Sequence, residues 1–456
     1  MAIGRVRLLH RPDDRGRSQA EGTRRLPSCM PRDMPEQKPT EGANPFAHLR
    51  NVAAVVGMYL VALIAWLVAG GRWPGGRWFG VHLSTLGVVT NLILALSDHF
   101  ARTLTHRGGR ASRWQLPVAN VGIAALLWGV PNGDTWVVAA GATILLAEVM
   151  RSYAVLRRLR RRSLGGRFAW VVRSYERAHG GFVHGAILGA LIGSAVLTGS
   201  WTVSARVAHL HVNVLGWAGI TFLATVVFFG PTMVRTRIEP GADARAAAVL
   251  PWAATALTVA VLALFGTGVG GAWAVALRLL AAVGLLVYGW AVLEIGVPLI
   301  RAARRAHPSA GRAALVMVPT WFAMVVGADV VVVATGRWRY LDALGAAMLS
   351  GVLFQAIAAS LAYLAPLLLR SDAVARARLT GRIDRHATAR TITWNIGVAC
   401  AALAATLGSS VGEAGSVAIR VGWGLVLAAT LWLGGAILFP SAPSLAAGSD
   451  GREVEG

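Results

Sequence analysis

Three histidines set in apolar surroundings are the residues of this chain best suited to chemistry. His209 and His211 open the stretch HLHVNVLGWAGITFLATVVFFGP, and His82 stands in FGVHLSTLGVVTNLILALSDHF. Each stretch is long enough and apolar enough to cross a bilayer. An imidazole placed in hydrocarbon survives by facing the bundle interior, where a metal, a haem iron, a carboxylate or another hydrogen-bonding group can meet it. Helix geometry limits the choice, because residues i and i+2 point about 200° apart. His209 shares a face with Asn213, Gly216 and Trp217, whereas His211 shares one with Leu215, Ala218 and Phe222. The first face is more polar and has a glycine for close approach. Two chemistries remain open: a metal or haem site built from His82 with His209 or His211, or hydrogen bonds to backbone carbonyls and interfacial water.

The elements that must position these side chains follow from composition. The chain has 456 residues, 55% hydrophobic and 14% charged, with a mean hydropathy of +0.57. Its apolar runs are too long and too numerous for a soluble core, so the expected fold class is all-α, a polytopic membrane helical bundle. Runs at 51–69, 79–97, 114–130, 136–156, 178–197 and 205–231 are followed by runs at 249–265, 273–300, 313–335, 341–369, 389–407 and 416–439. They predict about 12 transmembrane helices over a domain of 51–439. Residues 1–50 are rich in Arg, Pro, Glu and Asp and read as a disordered basic cytoplasmic tail, within which Met30 and Met34 are alternative starts to Met1. Residues 440–456 read as a second short tail.

Arginine placement orients the bundle. The formal net charge is +23, and Lys38 is the only lysine. Arginines gather at 102–113, 157–173, 235–245, 301–312 and 370–390, whereas 131–135, 266–271 and 409–415 have almost none; Arg72, Arg77, Arg206, Arg337, Arg339 and Arg420 break the pattern. Alternation of this kind predicts a multi-pass cell-membrane protein with both termini cytoplasmic. It also assigns the basic charge to anionic lipid headgroups and not to nucleic acid. Cys29 and Cys400 lie in segments unsuited to meet, so no disulfide framework is implied.

On this orientation His82, His209 and His211 share a level one to two turns below the outer surface, at about 1.5 Å of rise per residue. Asp329 and Arg278 fall at similar depth and predict an ion pair between adjacent helices. The alternative makes Arg278 a clamp for a haem propionate and Asp329 a partner for a histidine. Trp73, Trp78, Trp201, Trp273 and Trp338 stand at outer ends, as an aromatic belt does. Toward the inner surface lie Asp98, His99, Glu148, His179, His184 and Glu294, which snorkelling and water explain; a proton or ion path through Glu148 and Glu294 is the alternative.

Taken together, the twelve-helix plan, HLSTLGVVTN with its closing SDHF, HLHVNVLGWAGIT followed by GPTMVRTR, and LFQAIAASLAYLAP resemble the haem-copper oxidase subunit I-like superfamily, and within it divergent NnrS-like and actinobacterial membrane proteins. The resemblance implies an axial haem role for His82 and a copper-ligand role for His209 or His211, with Gln355 or Met348 as neighbours. The histidines of the oxidase seventh and tenth helices have no counterpart here, since 249–265 holds none and the tenth helix offers Met348 and Gln355. A complete oxygen-reducing centre is therefore not expected. The implied function is electron transfer or a gas-related process (O2 or NO) on haem or copper, with a redox partner or oxidase subunits as protein partners. Two readings compete: a secondary transporter, for which buried acidic residues would serve, and a ligand-free accessory subunit. No nucleotide-binding loop, hydrolase triad, cysteine knuckle or HExxH motif is present.

Overall fold

The computed structural model describes residues 47–69, 75–107, 112–163, 166–370, 372–407 and 412–439. The described residues contain thirteen helical rods and no strand. They are α1 (Ala47–Val68), α2 (Gly76–Leu104), α3 (Gln115–Asn132), α4 (Thr135–Arg162), α5 (Ala169–Gly193), α6 (Gly199–Met233) and α7 (Ala242–Val269). There follow α8 (Gly271–Arg305), α9 (Ala310–Thr335), α10 (Trp338–Leu369), the short α11 (Ala373–Asp384), α12 (Ala387–Leu407) and α13 (Gly412–Leu438). The tail expected over 1–50 lies outside the described residues except for 47–50, which already belong to α1; the tail over 440–456 and Trp73 lie outside them as well.

Twelve of the rods coincide with the twelve apolar runs, but nine among the described residues are long and apolar enough to cross a membrane. The other three carry more polar groups. α3 has 18 residues with Gln115, Asn120 and Asn132, α5 holds Arg173, Glu176 and Arg177, and α12 begins with Thr388, Arg390, Thr391 and Asn395. Their polar faces turn inward in part: Gln115, Glu176 and Arg390 are buried. Outward faces are apolar, as on Leu262 of α7 and Val283, Leu286 and Leu293 of α8, all more than half exposed. Such a surface suits lipid and not water. The protein is thus a polytopic membrane bundle.

Local caps set the rod ends. Asp134 accepts from the backbone N–H of Trp136 and Val137 at 3.1 Å and starts α4, whose last turn carries Arg160, Arg161 and Arg162. Positive charge there complements the exposed carbonyls of a helix C-terminus.

Three rods share one irregularity. α2, α6 and α10 each contain a π-helical run, at Leu83–Thr90, Val212–Gly219 and Met348–Phe354. A π run shifts the register of all that follows and loosens the i→i−4 ladder, so the affected carbonyls need donors from elsewhere. Side chains supply them. Asn91 Nδ2 donates to Gly87 O at 2.8 Å, Tyr288 OH to Leu215 O at 2.9 Å, and Trp394 Nε1 to Ser350 O at 3.0 Å. Each run also has a glycine against which an aromatic ring packs: Tyr59 on Gly87, Tyr288 on Gly219 and Trp321 on Gly351.

Candidate functional site

The site is built around the start of the first two π runs, because His82 and His211 are the last residues before them. His82 is held by its own helix. Its Nδ1–H donates to Trp78 O at 2.8 Å, and the Trp78 indole stacks on the imidazole with centroids 4.1 Å apart. Trp78 is therefore more than a member of an aromatic belt.

His209 is held by its neighbour α5. Its Nδ1–H donates to Gly185 O at 2.8 Å, and a Cβ on Gly189 would come within 2.8 Å of the ring, so two glycines of α5 make the seat. Asn213, one turn on, donates to His209 O at 2.8 Å and packs over Gly185. The seat is possible because α5 and α6 approach closely where Gly181 meets Gly216.

The rings of His82 and His209 lie 6.5 Å apart between centroids, with planes 26° from parallel. Both use Nδ1 to reach a carbonyl, which accepts and cannot donate, so in the neutral tautomer each Nε2 keeps its lone pair. A carbonyl that accepts from Nδ1–H is common behind a metal-bound histidine, since it fixes the ring and the tautomer.

His211 does not join this pair. Its Nδ1–H donates to Val207 O at 2.7 Å, and its Nε2 meets Asp329 Oδ2 of α9 at 2.9 Å. One proton lies between Nε2 and Oδ2, and the pair as a whole is neutral wherever that proton sits. Both nitrogens are committed, and His211 is only 1% exposed. The two histidines thus leave α6 on different sides, His209 toward α5 and His211 toward α9.

Arg278 and Gln355 also stand away from the histidine pair. The expected Arg278–Asp329 ion pair is replaced by His211–Asp329, because Asp329 points at α6. Arg278 instead packs its guanidinium on Gly336 at the end of α9, two helical turns beyond Asp329, and its buried Nε has no partner. Gln355 lines a cavity with Ala310, Arg390 and Trp394, residues at the arginine-rich end of the bundle. Met348 is buried within the π run of α10.

The polar groups nearer the arginine-rich end are closed among themselves. Glu148 receives two bonds from Arg151 at 2.6 and 2.8 Å, and Asp98 two from Arg102 at 2.9 and 3.0 Å. His179 bonds Ser152 Oγ at 3.0 Å and Tyr175 O at 2.8 Å, and His184 bonds Gly180 O at 2.8 Å. Glu294 is half-buried on α8.

Among the described residues no group of three or more His, Cys, Asp or Glu side chains is placed to hold a metal ion. A tetrahedral protein-only zinc site is not available, and the donor set is two imidazoles. His82 and His209 would hold a copper ion or a haem iron through Nε2, and the bound group would supply one-electron chemistry or a site for a diatomic ligand. The copper ion asks for less. A haem would also need a slot for the macrocycle and a cation for its propionates, and Arg278, the residue expected for that task, packs against Gly336. The arginine pattern predicts a shared depth for His82 and His209, but the register that brings them together depends on glycines of α5, whose spacing by itself says only that helices can pack closely. No family model, no curated protein and no solved structure matches this chain.

Proposed function

We propose that this membrane protein holds one redox-active metal, a copper ion in the first instance and a haem iron in the second, between His82 and His209, and serves a redox or gas-related process. On the arginine rule the site faces the external side, close beneath the surface, with both termini cytoplasmic. The observation that carries the reading is the shared chemistry of the two rings: each spends Nδ1 on a backbone carbonyl and keeps Nε2 free, at a centroid spacing of 6.5 Å. When bound, the metal would supply one-electron chemistry or a site for a diatomic ligand. The residues of the chain would do the rest. Trp78 and Gly185 fix the ring orientations, and Asn213 anchors the carbonyl of His209.

The twelve rods, the alternating arginines and the placement of His82 and His209 on α2 and α6 support membership in the haem-copper oxidase subunit I-like superfamily as a divergent branch. Partners in this reading are anionic lipids and a redox protein or oxidase subunit at the membrane.

Metal analysis and visible absorption of purified protein test the proposal. Copper or iron bound in stoichiometric amount to wild type and to His211→Ala, and absent from His82→Ala and His209→Ala, is the expected result. Wild-type protein without copper, iron or a Soret band, after growth with both metals supplied, removes it.

A further inference from the structure

The cavity around Gln355 stands apart from the histidine pair and has its own chemistry. It lies among α9, α10, α12 and α13 at the arginine-rich end, lined by Ala310, Gln355, Ala359, Arg390, Trp394 and Leu433 among others. Arg390 is 6% exposed and Gln355 is 5% exposed. Arg390 spends Nη2 on Ile383 O at 2.7 Å, but its buried Nη1 has no partner, and neither has the buried Oε1 of Gln355. The carboxylate whose field reaches Arg390 is Asp384. That carboxylate accepts from Ala310 N at 2.9 Å and makes no ion pair with Arg390 within 4.0 Å among the described residues.

A guanidinium removed from water needs both its hydrogen bonds and its charge answered. Water can satisfy the first need but not the second. The unpartnered amide of Gln355 is the complementary half, because a half-turn about its last torsion exchanges Oε1 for Nε2 and presents N–H to the ligand that Arg390 binds. Alanines make most of the wall. The space of about 40 Å³ is that of a few water molecules in a partly open cleft, which a small anion fits.

We infer that this cavity is a binding site for a small monovalent oxyanion of the size of formate or nitrite, held between Arg390 and Gln355. The inference does not depend on the histidine pair. Its test is the thermal transition of full-length protein in neutral detergent, measured in a rising series of sodium formate or sodium nitrite with ionic strength held by sodium gluconate, an anion too large for the cavity. Wild type is expected to gain about 2 °C or more as the site saturates. Arg390→Gln should lose the gain. Since that variant can also fail to fold, Ala359→Leu is the second arm: it fills the cavity, leaves both polar residues in place, and should elute and melt as a folded protein with no response to formate. Three results would overturn the inference: no gain in wild type, which leaves a cavity for water only; an undiminished gain in Ala359→Leu; or a gain seen with added phosphatidylglycerol and never with formate, which makes the occupant a lipid headgroup.

Discussion

His209 and His211 stand two residues apart on one helix and have opposite fates. On the α5 side, His209 is bonded to a carbonyl through Nδ1, with no hydrogen bond at Nε2 among the described residues. On the α9 side, His211 is bonded through both nitrogens and offers nothing. His211 is buried and His209 half-buried, but that difference alone does not say which ring can take a ligand. The count of occupied nitrogens does, and it divides α6 into a face open to a ligand and a face that holds two helices together.

The comparison is most strongly tested at the open face. His82→Ala and His209→Ala should each reduce bound metal to background, as read by elemental analysis, while His211→Ala keeps it. Metal loss in His211→Ala with retention in His209→Ala would reverse the assignment of the two faces.

At the closed face the expected effect is on stability. Asp329→Ala leaves one nitrogen of the buried His211 without its partner and should cost about 1–3 kcal/mol, seen as a lower melting temperature. Replacing both members by leucine should cost less than Asp329→Ala alone, because a buried pair exchanged for apolar groups of similar volume is often neutral. Additive losses in the double variant would deny that the two side chains act as a pair.

A smaller effect separates the glycines of α5. Gly189→Ala puts a methyl 2.8 Å from the His209 ring and should cost about 1–3 kcal/mol together with some metal occupancy. Gly180→Ala on the same helix meets nothing within 4 Å, and it should be neutral or stabilising by about 0.4–1 kcal/mol. Equal metal contents in the two variants would show that the His209 seat has no part in binding.

The smallest effect contrasts Asp329 with a carboxylate in water. Asp372 caps α11 by accepting from Ala375 N at 2.7 Å, which holds its carboxyl below the ordinary value. A folded value below the unfolded value of about 3.9 adds stability above that pH and loses it as the pH falls through the folded value. Protection of the α11 amides, taken relative to their intrinsic exchange rate, should therefore fall as the pH drops below about 4, and Asp372→Ala should abolish that acid dependence.

Much of this was legible in the order of residues. Twelve apolar runs gave twelve rods, since a stretch of about twenty apolar residues has few ways to satisfy its backbone other than a helix. The spacing of His209 and His211 already required opposite directions. Three things were not legible. Hydropathy overstated how many rods are apolar enough to cross, because α3, α5 and α12 carry polar residues that packing partly buries. The three π runs left no pattern in apolar spacing, and they alter the register below His82 and His211. The choice of Asp329 for His211 over Arg278 needed the rotation of α9, which no single helix specifies.

The sequence by itself determined a helical membrane protein and the approximate place of twelve of its rods, because those follow from local hydrophobicity. Only the tertiary structure decided which imidazole keeps a free nitrogen, which carboxylate meets which base, and where a buried guanidinium is left without an anion. Those outcomes depend on the rotation and close approach of helices far apart in the chain, and glycine contacts and π runs set them with no trace in periodicity.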